Sequence, residues 1–215
     1  MNDGGLQYWQ QHGQYQQEIE MGRFAKASSG TFPQAPIGNH VARCIRIYDL
    51  GTQQEEYKGK IMHKEKILIQ WELPNELMDD GQPFAVGKFY TNSLSEKSNL
   101  LPDLENWRGK AFTNEELGGF DLTAVAGKPC MISVVHNENG KARVGGIAAI
   151  PKGMQCPPAK NKVFCYWIEE HEQTVYEQIP DGIKKIIEKS PEWAERKGDP
   201  LVSSGIADME QDVPF

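Results

Sequence analysis

The sequence predicts a mainly β fold: a five-stranded Greek-key barrel with a helical connection between its third and fourth strands, helices behind it and flexible tails. Three observations carry this. Apolar residues alternate with period two in successive runs that begin near Asn39 and end near residue 170. A single helical stretch interrupts them, after the third run. Both ends of the chain are dominated by Gln, Gly, Ser and Pro and sustain no periodicity.

Residues 1–38 read as a flexible arm in which Tyr8, Trp9 and Tyr15 interrupt a Gln-rich stretch. In the first strand, VARCIRIYDL, Val41, Ile45 and Ile47 share one face, and Cys44, Arg46 and Tyr48 the other. A Gly-Thr-Gln turn is expected after it. The second strand, KIMHKEKILIQWEL, sets Ile67, Ile69, Trp71 and Leu73 against Lys64, Lys66, Leu68 and Gln70. The third, FAVGKFYTNSL, contains Gly87, which marks a bulge or sharp bend. In SEKSNLLPDLENWRG the apolar positions are Leu100, Leu101, Leu104 and Trp107, with Pro102 expected to spoil a regular helix. Two β-rich runs around Asn139-Gly140 make a hairpin, KVFCYWIEE can add a sixth strand, and Ser190-Pro191 starts a helix. The domains follow: a barrel over 39–170, a helical extension over 171–200 and an acidic tail over 201–215. Strand order with a helix after the third strand matches the five-stranded OB-fold. A β-sandwich or an SH3-like barrel needs a similar number of strands.

The 39% hydrophobic share supports one packed core with appendages, and the apolar runs are too short to cross a bilayer. The start, MNDGGLQYWQ, carries no basic-then-apolar leader, so a cytoplasmic protein without a membrane partner is expected. Cys44, Cys130, Cys156 and Cys165 form no metal-binding spacing and read as free thiols. Phosphate-loop, dinucleotide and HExxH motifs are lacking, so neither a cofactor nor an enzyme is expected. The net charge of −7 is unevenly spread: −1 over residues 1–38, +1 over 39–168 and −7 over 169–215. The acidic end therefore leaves the barrel free to carry a basic face.

Single-stranded nucleic acid is held by cations along its backbone and by rings beneath its bases. Arg46 and Tyr48 on the first strand, Tyr57, Lys58, Lys60, Lys64 and Lys66 around the second, and Lys88 and Tyr90 on the third supply both. Phe89 alternates against Lys88 and Tyr90, so only one of those sets can face a groove. Lys141 and Arg143 lie in the fourth-to-fifth-strand hairpin that borders the groove of OB-folds. A plain solvated sheet face is the competing reading of the same residues.

The chain closes with DMEQDVPF, in which Asp208, Glu210 and Asp212 precede Val213, Pro214 and Phe215. Those residues suit a partner's apolar pocket rimmed by Lys or Arg. The segment resembles the acidic C-terminal tip of bacterial single-stranded DNA-binding proteins, although Met209 and Gln211 interrupt its acids and the linker before it is short. Architecture and tail together resemble bacteriophage-encoded single-stranded DNA-binding proteins of the OB class. That resemblance implies sequence-independent binding of single strands in replication, recombination and repair, with partner enzymes recruited through the tip. Homo-oligomers are compatible with it. A protein-interaction adaptor, or an annealing or recombination mediator, is the competing functional class.

Overall fold

The computed structural model describes residues 33–198. The N-terminal arm and the acidic tail lie outside the described residues. Six strands form one sheet: β1 Gly38–Tyr57, β2 Lys60–Leu77, β3 Pro83–Thr91, β4 Pro129–His136, β5 Ala142–Ala148 and β6 Phe164–Tyr166. The order is β3-β2-β1-β4-β5, antiparallel throughout, with β6 added parallel to β1. The edge strands β3 and β5 approach one another, so the sheet curls into a barrel-like shape. The helices are α1 Leu100–Arg108 and α2 Asn114–Leu117, a 3-10 turn Leu122–Val125, and then α3 Gln173–Glu177, α4 Asp181–Ile187 and α5 Pro191–Lys197.

β1 serves two antiparallel partners in succession. Gly38 to Arg43 pair with β4, and Arg43 to Tyr57 pair with β2, so this strand bends around the barrel. Two register shifts, between Cys44 and Arg46 and between Asp49 and Gly51, let it bend. The first shift corrects the expected faces: Cys44 turns inward with Ile47, because the bulge absorbs one residue between them. The second corrects the expected turn. β1 runs through Gly51, Thr52 and Gln53 to Tyr57, and the chain reverses at Lys58-Gly59, where both φ angles are positive (51° and 76°) as a two-residue hairpin turn requires. Gly51 is irreplaceable for another reason. A Cβ there would lie 2.5 Å from the Cβ of Ser190, the residue whose hydroxyl caps α5.

The interior is filled by Ile47, Ile67, Ile69, Trp71, Leu73, Ile132 and Val134, with α1 closing one side through Leu100, Leu104 and Trp107. The Trp71 and Trp107 rings lie 5.7 Å apart, and the Trp107 indole donates to Pro129 O. Pro102 does not spoil this helix. It falls in the first turn, where its missing N–H has no partner to lose, and the helix runs on to a left-handed Gly109. Gly87 makes neither bulge nor bend: pairing with β2 is unbroken there, and a Cβ would press within 3.1 Å of Leu68 Cδ1. The hairpin at Asn139-Gly140, the sixth strand and the helix start at Ser190-Pro191 stand where the sequence placed them.

A second core lies on the outer face of β1 and the adjoining part of β2. Tyr48, Leu50 and Leu68 are covered there by Tyr166, Ile168, Ile179, Ile187 and Trp193. The C-terminal helices therefore complete the domain rather than follow it. Beside them, the loop between β5 and β6 is stapled down. Arg43 donates to the carbonyls of Gly127, Cys156 and Pro157 at 2.7, 2.8 and 3.0 Å. The fully buried Glu72 accepts from Lys160 N, Asn161 N and Asn161 Nδ2 at 2.7 to 2.8 Å. A buried carboxylate is tolerated because all three donors converge on it. Among the described residues no helix is long and apolar enough to cross a membrane.

Candidate nucleic-acid interface

The face of β2 opposite the barrel interior presents Lys60, Met62, Lys64, Lys66, Leu68 and Gln70 in strict alternation. Lys60 is exposed. Lys66 Nζ meets Glu55 Oε1 at 2.5 Å and Thr91 Oγ1 at 3.2 Å, and Lys64 reaches the same Glu55 at 3.6 Å. These cations hold the Glu55 carboxyl below its ordinary range, chiefly through the hydrogen bond from Lys66. At the turn, Tyr57 is exposed and Lys58 Nζ sits 5.3 Å from its ring centre. The hairpin made by β1 and β2 thus gathers Tyr57, Lys58, Lys60, Lys64 and Lys66.

Across from Leu68, Phe89 stands 50% exposed on the same outer face of β3. Register decides this. Phe84, Val86, Lys88 and Tyr90 pair with Leu73, Trp71, Ile69 and Ile67, the inward residues of β2, so Phe89 must point out. Tyr90 and Lys88 are therefore corrections. Tyr90 is 2% exposed and donates to Asp103 Oδ2 at 2.8 Å, while Lys88 donates to the same oxygen at 2.6 Å. Both are tied to α1. Parity with Phe84 and Val86 was the available signal, since a side chain two or four residues from buried apolar ones shares their face.

Tyr48 is the third correction. Its ring is wholly buried between β6 and the C-terminal helices, and burial pushes its hydroxyl up to about 12. Arg46 is half-buried beside it, with its guanidinium 5.6 Å from the Phe164 ring and Nη2 donating to Asn161 Oδ1 at 3.4 Å. Neither side chain is free to receive a nucleotide, because the chain beyond residue 160 occupies the surface over them. Lys141 and Arg143 are exposed and belong to the separate β4–β5 hairpin, where Arg143 pairs with a 43% exposed Val135. Asp208, Glu210, Asp212, Val213, Pro214 and Phe215 lie outside the described residues.

Charge separates sharply around the hairpin. Glu65 projects opposite to Lys64 and Lys66, into a cleft of about 640 Å³ also lined by Asp49, Asp121, Glu169, Glu170 and Glu192. Burial pushes the Asp49 carboxyl up, with Glu192 and Glu169 adding to the effect. The potential of that cleft is negative, and the lysines stand on the opposite face of the strand. Among the described residues no group of His, Cys, Asp or Glu is arranged to hold a metal ion. Cys44 and Cys130 are buried thiols raised well above their ordinary range by desolvation, which makes them poor nucleophiles. No protein-family model, curated protein or solved structure matches the chain, so the site is read from its own geometry.

Proposed function

We propose that the domain is an OB-type barrel that binds single-stranded DNA without reading its sequence. The bound strand follows the outer face of β2 and β3, from the Tyr57–Lys60 turn past Lys64 and Lys66 to Phe89. The observation that carries this reading is the row of outward lysines ending at a half-exposed ring. The lysines neutralise phosphates, and the ring offers a base a surface on which to stack, the pairing that sequence-tolerant single-strand binders use. The β3-β2-β1-β4-β5 order, the approach of β3 to β5 and the helix between β3 and β4 support the OB assignment. Lys141 and Arg143 provide a second basic border on the β4–β5 hairpin. The acidic tip, as its resemblance implies, recruits replication, recombination and repair proteins to the covered strand.

Fluorescence anisotropy of labelled oligo-dT against a duplex of equal length, at two salt concentrations, tests this. Preference for the single strand, with affinity falling steeply as salt rises, is expected. Equal affinity for duplex, or affinity indifferent to salt, would overturn it. Absence of binding at low salt would leave the adaptor reading in its place. Deleting residues 208–215 should leave oligo-dT binding unchanged or tighter while abolishing capture of partner proteins. A looser complex would contradict a purely recruiting tail.

A further inference from the structure

The outer end of β3 carries its side chains against their polarity. Phe89 faces out, while Lys88 and Tyr90 face in. A lysine is seldom placed inward unless its charge is paired, and an apolar ring gains by burial, so polarity alone favours the opposite arrangement. One carboxylate reverses that preference. Asp103, in the first turn of α1, accepts from Lys88 Nζ at 2.6 Å and from the Tyr90 hydroxyl at 2.8 Å, both on Oδ2, and its side chain is only 14% exposed. The Lys88 ammonium also lies 5.3 Å from the centre of the Tyr90 ring. Burial, and then the Asp103 charge, hold the Tyr90 hydroxyl well above its ordinary range, so it stays a donor. α1 is itself anchored in the core by Leu100, Leu104 and Trp107, which makes Asp103 a fixed point for the strand.

We propose that Asp103 is the positioning residue of the β2–β3 face: by holding Lys88 and Tyr90 it selects the register of β3 in which Phe89 stands outward. The positioning role rests on the reading of Phe89 as the ring on which a base stacks. The alternative register is close at hand. β3 ends the sheet order and pairs in it with β2 alone. A slip of one residue exchanges the two faces of a strand. Gly87 stands where a one-residue bulge would be taken up, because it lacks the Cβ that would press within 3.1 Å of Leu68 and glycine suits the bulged position. With such a bulge Phe89 would enter the barrel, and Lys88 and Tyr90 would leave it. The register held by Asp103 also sets Thr91 opposite Lys66, whose Nζ donates to Thr91 Oγ1 at 3.2 Å. The end of the lysine row and the ring are thus set by one choice. A buried ion pair adds little net stability over apolar groups of similar volume, so its role here is to decide which face of β3 is presented.

The test uses the full chain with 4-fluorophenylalanine in place of phenylalanine. The fluorine NMR signal of Phe89 is the one lost in Phe89→Leu, and its broadening by a soluble gadolinium chelate reads exposure without DNA. In the parent chain that signal is expected to be single and broadened. Asp103→Asn, which keeps an acceptor without the charge, should add a second, shielded Phe89 signal, and Asp103→Leu should make the shielded one the major. Oligo-dT affinity should fall with the exposed fraction, by about tenfold for Asp103→Leu, the scale of one lost stacking ring. Combining Lys88→Leu, Tyr90→Phe and Asp103→Leu gives position 88 its own preference for the core and leaves no donor unpaired. This triple variant should restore a single exposed signal and the parent's affinity. A Phe89 signal as exposed in Asp103→Asn and Asp103→Leu as in the parent overturns the proposal, and so does a triple variant in which Phe89 is shielded. Should Asp103→Leu not fold, Asp103→Asn and the triple variant decide by the same criteria. A register that follows Asp103 while affinity does not overturns the positioning role. Failure of the DNA reading looks different: the parent itself binds no oligo-dT, while the fluorine signals still decide the register.

Discussion

The outer face of β1 and the outer face of β2 begin from the same kind of sequence and meet opposite fates. Each alternates apolar with polar or aromatic residues, and each looks solvent-facing when read along the strand. On β1, Tyr48 disappears beneath β6, α4 and α5 with Arg46 half-buried beside it, while on β2 Leu68 shares that cover, Lys64 and Lys66 keep part of their surface and Lys60 is exposed. Alternation fixes which residues share a face. It does not say which faces will be covered, because cover is supplied by segments that lie more than a hundred residues further along.

The first way to break this comparison is to strip the cover. Trp193 is 4% exposed and stacks on Tyr176 with ring centres 4.7 Å apart, over the core that buries Tyr48. Trp193→Ala is expected to cost about 3–5 kcal/mol, the usual loss for truncating a large buried aromatic. Urea unfolding with an unchanged m-value measures it. A loss below about 1 kcal/mol would mean that the C-terminal helices are an appendage after all.

A smaller effect separates the two faces functionally. Phe89→Ala is expected to weaken oligo-dT binding by about 1–3 kcal/mol, the range for losing one stacking ring, and to leave stability nearly unchanged because the side chain is half exposed. Tyr48→Phe should change neither binding nor stability. The Tyr48 hydroxyl lies by the Arg46 guanidinium without a hydrogen bond of good geometry, so its removal frees a buried group from an unmet partner and costs nothing measurable. Anisotropy on both variants decides the matter; equal loss from the two substitutions would put the strand on the wrong face.

These residues also show how far the sequence can be read. The strand order, the Asn139-Gly140 hairpin, the helix after β3 and the capped start of α5 are local signals: period two, a turn dipeptide, a Ser-Pro start. Of the proposed interface, the lysines of β2 were legible because alternation sets them on the face opposite Ile67 and Ile69, whereas the turn at Lys58-Gly59 was not, the expected turn having been Gly51-Thr52-Gln53. Tyr48 was not, since its burial depends on Ile179, Ile187 and Trp193. Lys88 and Tyr90 were misplaced because a polar tip can belong to an inward position when a partner such as Asp103 waits there. The two bulges of β1 were invisible as well, and one of them rotated Cys44 into the core.

Glu55 sharpens the exposed side of the comparison. It occupies Lys64 and Lys66 with an ion pair that a phosphate must replace. Glu55→Gln should tighten oligo-dT binding by up to about fivefold, in line with the ~0.2–1 kcal/mol carried by partly exposed pairs. The gain should shrink at high salt, where both the pair and the phosphate contacts are screened. Unchanged affinity at low salt would remove Lys64 and Lys66 from the path of the strand.

The smallest effect lies on the covered side, at the seam between β1 and the C-terminal helices. Asp49 accepts from Gly51 N at 2.9 Å and Ile168 N at 3.1 Å, yet burial first, and then Glu192 and Glu169, raise its carboxyl above the ordinary 3.8. A raised folded-state pKa means that the folded protein holds the proton more tightly than the unfolded chain does. Its contribution is full below the unfolded value and is lost as pH rises through the folded one. Asp49 should therefore make the domain lose stability as pH climbs from the range of ordinary carboxylates toward neutrality. The slope must lie below the ~1.4 kcal/mol per pH unit that one fully responding group can give. Asp49→Asn retains one acceptor for the two N–H groups and no titration, so its stability-versus-pH curve should be flatter over that window. Parallel curves for the two proteins would show that the carboxylates of Glu169 and Glu192 do not strain the seam, and that the helices lie on β1 without electrostatic cost.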